Sequence, residues 1–148
     1  PRAYETPDDI EARAHMMSAA AMGATAFQKG LGAIHAMSHP VGAHFNTHHG
    51  TTNAVCMPAV LDLNAPVIAD RFDRAAGYLG IEGGYDGFRA FVDRFNDSFS
   101  VPKGLAALGV TEDAIPTLVK GAIKDPSCGG NPIELTEENL AVLFQAAM

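Results

Sequence analysis

No stretch of this chain alternates apolar and polar residues over the four to eight positions a half-buried strand needs, and no Asn-Gly or Asp-Gly turn joins two such runs. Helix starts, by contrast, recur from end to end. Thr6-Pro7-Asp8-Asp9 offers a cap, a proline for the first turn and two acids; Thr111-Glu112-Asp113 and Thr136-Glu137-Glu138 repeat the pattern. The pattern predicts an all-α fold, a bundle of about seven helices in a single domain over residues 1–148. With 148 residues, 47% of them hydrophobic, the chain is long enough to bury a core.

The first helix is expected from Pro7 to about Gln28 and the second from Leu31 to His39, where Pro40 should end or kink it. Polar, glycine-containing His44–Thr52 reads as a loop. Asn53–Leu63 is almost wholly apolar despite Pro58, which puts it in the middle of the bundle. Ala65–Leu79 is amphipathic. In Gly87–Phe99, Phe88, Phe91, Val92, Phe95 and Phe99 form a stripe at helical spacing, the pattern of a core face. Pro102–Gly109 reads as a turn or broken helix, and Asp125–Ile133 as a loop dense in turn residues.

Charge and composition exclude several function classes. The net charge is −7 and no Lys/Arg cluster occurs, which disfavours nucleic acid and anionic membrane surfaces as partners. No apolar run approaches the roughly 20 residues of a bilayer span. The chain starts at Pro1 with no charged, then apolar, leader, which predicts no signal peptide and a chain that is either processed or a piece of something longer. Two cysteines, Cys56 and Cys128, fit a reducing, cytoplasmic setting.

Five of the six histidines lie between positions 35 and 49: His35, His39, His44, His48 and His49. Neutral imidazole is the commonest metal ligand, and a metal site requires such clustering. His35 and His39 stand i, i+4 and share a helix face, so spacing alone nominates them as a ligand pair. Ala36 stands where a zinc protease would carry its glutamate base. His49, at the end of the loop before Gly50, is a further candidate; a metal-free rim of histidines is the competing reading. No Asp or Glu lies between Glu11 and Asp62, so a complete site needs distant residues or residues outside the chain.

The run Gly30-Leu31-Gly32-Ala33-Ile34-His35-Ala36-Met37-Ser38-His39-Pro40-Val41-Gly42, with His49-Gly50, Asn53-Ala54 and Pro58, resembles the signature of iron-containing alcohol dehydrogenases. Asp125-Pro126-Ser127-Cys128-Gly129-Gly130-Asn131-Pro132 resembles the later Asp-x-Cys…Asn-Pro loop of the same family, in the right order. The resemblance covers essentially the whole chain and is to the C-terminal helical domain. It implies a metal between that domain and an N-terminal α/β nucleotide-binding domain that this chain lacks. His35 and His49 match two of four metal ligands, the other two belonging to an Asp-x-x-x-His pair upstream. His39 matches a histidine near the nicotinamide and substrate, so the resemblance moves His39 from ligand to catalytic and cofactor-contacting residue.

Ser127 falls where several relatives carry a substrate-pocket cysteine, Ile133 replaces a frequent arginine and His48 a frequent proline. The implied reaction is hydride transfer between a small alcohol, or its aldehyde or ketone, and NAD or NADP, with Fe²⁺ or Zn²⁺ as Lewis acid. No Gly-rich phosphate loop occurs, so the cofactor and the missing ligands are expected from the N-terminal domain of the same polypeptide. The fragment alone is expected to be inactive, and homo-oligomers are expected to be possible. The competing reading is a stand-alone helical metal-binding or interaction module.

Overall fold

The computed structural model describes residues 1–148 and contains seven α-helices with short 3₁₀ turns and no strand. Two compact units emerge, Pro1–Gly30 and Leu31–Met148.

The first unit holds α1 (Arg2–Glu5), α2 (Ile10–Ala26) and a 3₁₀ turn at Phe27–Lys29. The cap of α2 is Asp9, not Thr6: its carboxylate accepts from the Ala12 amide at 3.0 Å and, with Glu11, also holds the Arg2 guanidinium. Pro7 and Asp8 are spent in the turn before the helix. The apolar side chains of α2 are spread around it, and only Ala12 is buried.

In the second unit the order is α3 (Ala33–Phe45), α4 (His49–Leu79), α5 (Gly84–Ser98), α6 (Ile115–Ala122) and α7 (Glu137–Ala146). Its core joins Met37 and Val41 of α3, Cys56 and Val60 of α4, Leu118 of α6, and Leu140 and Phe144 of α7. A smaller cluster of Leu61, Ile68 and Val92 ties α4 to α5.

The prolines behave differently from the sequence expectation. Pro40 ends nothing: α3 runs through it to Phe45. A proline inside a helix removes one hydrogen bond and pushes on the preceding turn. Here the ring is buried, and Gly121 of α6 lies so close that an added Cβ would meet Pro40 Cβ at 2.8 Å. The packing of α3 on α6 offsets the lost bond. Likewise α4 is one continuous helix of 31 residues with Pro58 and Pro66 inside it, beginning at His49 where a loop was expected. By length and composition alone α4 could cross a bilayer, because it is one helix and not the two shorter ones expected. One face of it, including Thr52, Val55, Cys56 and Val60, is buried in this fold.

The aromatic stripe of α5 is also a correction. Only Val92 is buried; Phe88 and Phe91 are half-buried and Phe95 is 44% exposed. The rings instead form a ladder along the helix, with Phe91–Phe95 centroids 5.6 Å apart and Phe95–Phe99 4.9 Å. The other expected starts and turns appear: Leu105–Leu108 is a 3₁₀ turn, and Thr136 caps α7 in a reciprocal box with Asn139. Thr111 precedes a 3₁₀ turn, Glu112–Ala114, that leads into α6.

Candidate functional site

The site is built around the tight joint between α3 and α4. Asn46 closes α3 in the left-handed region (φ 52°), which an asparagine tolerates. Only Asn46, Thr47 and His48 separate the two helices. His48 is the cap of α4, its Nδ1 accepting from the Thr51 amide at 3.3 Å. The fully buried Thr52 hydroxyl pins the turn by bonding Thr47 Oγ1 at 2.7 Å and the His48 carbonyl at 3.0 Å. His49 thereby becomes the first residue of α4, facing the α3 surface that carries His35 and His39.

Three of the clustered imidazoles meet. Ring centroids are 5.6 Å apart for His35–His39, 5.2 Å for His35–His49 and 5.4 Å for the stacked pair His39–His49. His35 Nε2 and His49 Nε2 both face the Asn53 side-chain amide, at 3.4 and 3.1 Å, one helical turn into α4. The two nitrogens therefore converge on one point. Asn53 Oδ1 is buried there without a partner. Burial, then the proximity of His49 and His39, lowers the pKa of His35 against a smaller opposing pull from Asp125. The neutral form, which is the ligating form, is favoured.

His39 has a different environment. Its Nδ1 lies 2.8 Å from Asp125 Oδ2. Asp125 caps the 3₁₀ turn Pro126–Gly130, its Oδ1 accepting from the Ser127 amide at 2.8 Å. Burial opposes ionisation of this carboxyl, but hydrogen bonds from the Ser127 hydroxyl and amide and from His39 outweigh it and hold its pKa below the ordinary carboxylate value. Ser127 is buried, at 7% exposure, and serves Asp125.

The turn is fixed from its far end. Asn131 and Asn64 of α4 exchange amide hydrogen bonds at 2.9 and 3.0 Å. Asn131 Oδ1 also accepts from the Ala33 amide at the uncapped start of α3, and its Nδ2 donates to the Ile133 carbonyl at 2.7 Å. Gly130 sits against the Leu31 carbonyl, where any Cβ would collide.

Sequence reasoning singled out His35, His39 and His49, and the fold brings these three together. His44 and His48 make no ring contact with them, and the latter is a cap. The roles of Asp125, Asn53 and the Asn64–Asn131 pair were missed. Asp before Pro-Ser is a recognisable turn-cap signal, but nothing local reveals a partner 86 residues away.

The donor chemistry fits a borderline divalent ion in part. Two convergent imidazole nitrogens suit iron or zinc, yet no three His, Cys, Asp or Glu side chains of the chain are placed to hold one.

An all-helical domain presenting a histidine triad at one helix joint is the class defined by fold and site. The chain belongs to the Fe-containing alcohol dehydrogenase family, whose C-terminal model matches residues 1–148. It is 38% identical over 156 aligned positions to a 4-hydroxybutyrate dehydrogenase of Cupriavidus necator, covering 99% of this chain and 41% of that protein. It is 35% identical to an NAD-dependent methanol dehydrogenase of Bacillus methanolicus, covering 100% of this chain and again 41% of that protein. Among solved structures, an alcohol dehydrogenase from Oenococcus oeni shares the fold with a TM-score of 0.91 at 23% identity, over 99% of this chain and 40% of that one. A 1,3-propanediol oxidoreductase matches 80% of this chain and 33% of its own, at 30% identity and a TM-score of 0.75. The chain thus spans about two-fifths of the length of the curated relatives it matches most fully.

Proposed function

We propose that this chain is the metal-bearing helical part of an NAD(P)-linked alcohol dehydrogenase acting on a small alcohol or the corresponding aldehyde or ketone. The observation that carries the reading is the convergence of His35 Nε2 and His49 Nε2 on one point, with the His39 ring beside both. His35 and His49 would hold a divalent ion, Fe²⁺ or Zn²⁺, as two of its ligands. The remaining ligands and most of the nucleotide site come from a part of the polypeptide outside these residues, in keeping with the greater length of the relatives. When bound, the ion supplies Lewis-acid chemistry, easing loss of the alcohol proton.

The chain's own residues do the rest. His35 is kept neutral by burial and is therefore ready to ligate at neutral pH. His39, 41% exposed and paired on one side with Asp125, has a ring nitrogen left to receive the alcohol proton and pass it to solvent. Ser127 holds Asp125, and through it the His39 ring, by its backbone amide.

The test is a metal titration of the chain under anaerobic conditions with Fe²⁺ or Zn²⁺. Weak binding is expected, reduced at least about tenfold by His35→Ala or His49→Ala and retained in His39→Ala. Tight binding indifferent to the first two substitutions overturns the ligand assignment and favours a stand-alone metal-binding module. Robust NAD(P) reduction by these 148 residues alone overturns the division of the site between two parts.

A further inference from the structure

We infer that Asp125 is the positioning residue for His39, fixing the imidazole as its Nδ1–H tautomer and leaving Nε2 as the ring's proton acceptor. This inference deepens, and rests on, the proton-handling role proposed for His39. An ionised carboxylate can only accept hydrogen bonds. With Oδ2 at 2.8 Å from Nδ1, the proton of a neutral His39 must therefore sit on Nδ1. Free imidazole side chains in water prefer the other tautomer, so the carboxylate reverses an intrinsic preference.

Asp125 is built to hold that position. Its other oxygen is engaged by the Ser127 amide at 2.8 Å, and the Ser127 hydroxyl donates to the same carboxylate. The Asp125 side chain is 13% exposed and that of His39 is 41% exposed. The carboxylate is thus sequestered while the ring stays open to a reactant. Two close approaches hold the α3 surface and the Asp125 turn in register: Pro40 on Gly121, and Gly130 on the Leu31 carbonyl. Should Nε2 take a proton, Asp125 is also placed to stabilise the resulting imidazolium.

The pair could instead serve only to tie α3 to the turn, and the ring tautomer separates the two cases. ¹⁵N-histidine NMR of the 148-residue chain, at a pH where His39 carries a single ring proton, should show the Nδ1–H pattern. In Asp125→Ala the tautomer ratio should reverse toward Nε2–H. An Nε2–H pattern in the unsubstituted chain overturns the proposal, whether or not the variant folds. So does an unchanged ratio in a folded Asp125→Ala. The tautomer and the metal titration fail independently: loss of metal binding at His35 and His49 says nothing about the His39 proton, and the converse holds.

Discussion

The Asn96 side-chain amide of α5 donates to the backbone carbonyl of Ala54 in α4 at 3.2 Å. In a helix that carbonyl accepts from the N–H four residues on, and residue 58 is proline, which has none. Asn96 supplies the donor that Pro58 withholds, which is one way α4 stays continuous through a residue expected to break it.

Asn96→Ala should therefore leave a part-buried carbonyl unpaired and lose about 1–3 kcal/mol of stability. In a Pro58→Ala background the helix provides its own N–H, and the cost of Asn96→Ala should shrink. A double-mutant cycle by urea unfolding reads the coupling. Equal costs in the two backgrounds would show that the bond does not compensate for the proline.

Asn131 and Asn64 should differ in importance although they bond each other. Loss of Asn131 strips partners from the Ala33 amide, the Ile133 carbonyl and the 5%-exposed Asn64 amide together. Loss of Asn64 leaves Asn131 with its contacts to Ala33 and Ile133. Asn131→Ala should cost about 2–4 kcal/mol, and Asn64→Ala less. Thermal unfolding of the two variants checks the order, and the reverse order would refute the account of Asn131 as the common tie.

The two thiols should differ in reactivity. Cys56 is fully buried and burial pushes its pKa up to about 12. Cys128 is half-buried, its pKa also raised by burial, and its thiol donates to the Ala122 carbonyl at 2.9 Å. A thiol-specific disulfide reagent should label the native chain slowly and at Cys128 alone, with Cys56 released only on unfolding. Fast labelling at Cys56 in the native chain would contradict its place in the core.

Much of this was legible where the signal is local. The Thr136 cap of α7, the i, i+4 pair His35 and His39, and the apolar run around Cys56 depend on residues within a turn or two of one another, whereas Thr6 yields the cap of α2 to Asp9 and Thr111 makes no capping bond. The prolines misled because their cost is local but their compensation is not: Gly121 seats Pro40, and Asn96 serves the turn at Pro58. His39 and Asp125 could not be paired by spacing, since only the packing of α3 on α6 and the following turn brings them together. The proposed pair His35 and His49 rests on resemblance as well, because spacing alone nominates His39 and not His49 as the partner of His35.

Acid should weaken the fold in two stages with opposite chemistry and the same sign. The folded pKa of His35 lies below its ordinary 6.5, chiefly through burial. As pH falls below about 6.5, the unfolded chain takes up a proton that the folded chain refuses, and stability drops until the folded imidazole titrates too. The folded pKa of Asp125 lies below its ordinary 3.8. Its contribution is intact above that value and is lost as pH falls through the lower folded one. Melting temperature against pH should show both declines, the upper one flattened in His35→Gln and the lower one in Asp125→Asn. An upper decline that persists unchanged in His35→Gln would assign it to another group and remove the case for a half-buried, neutral His35.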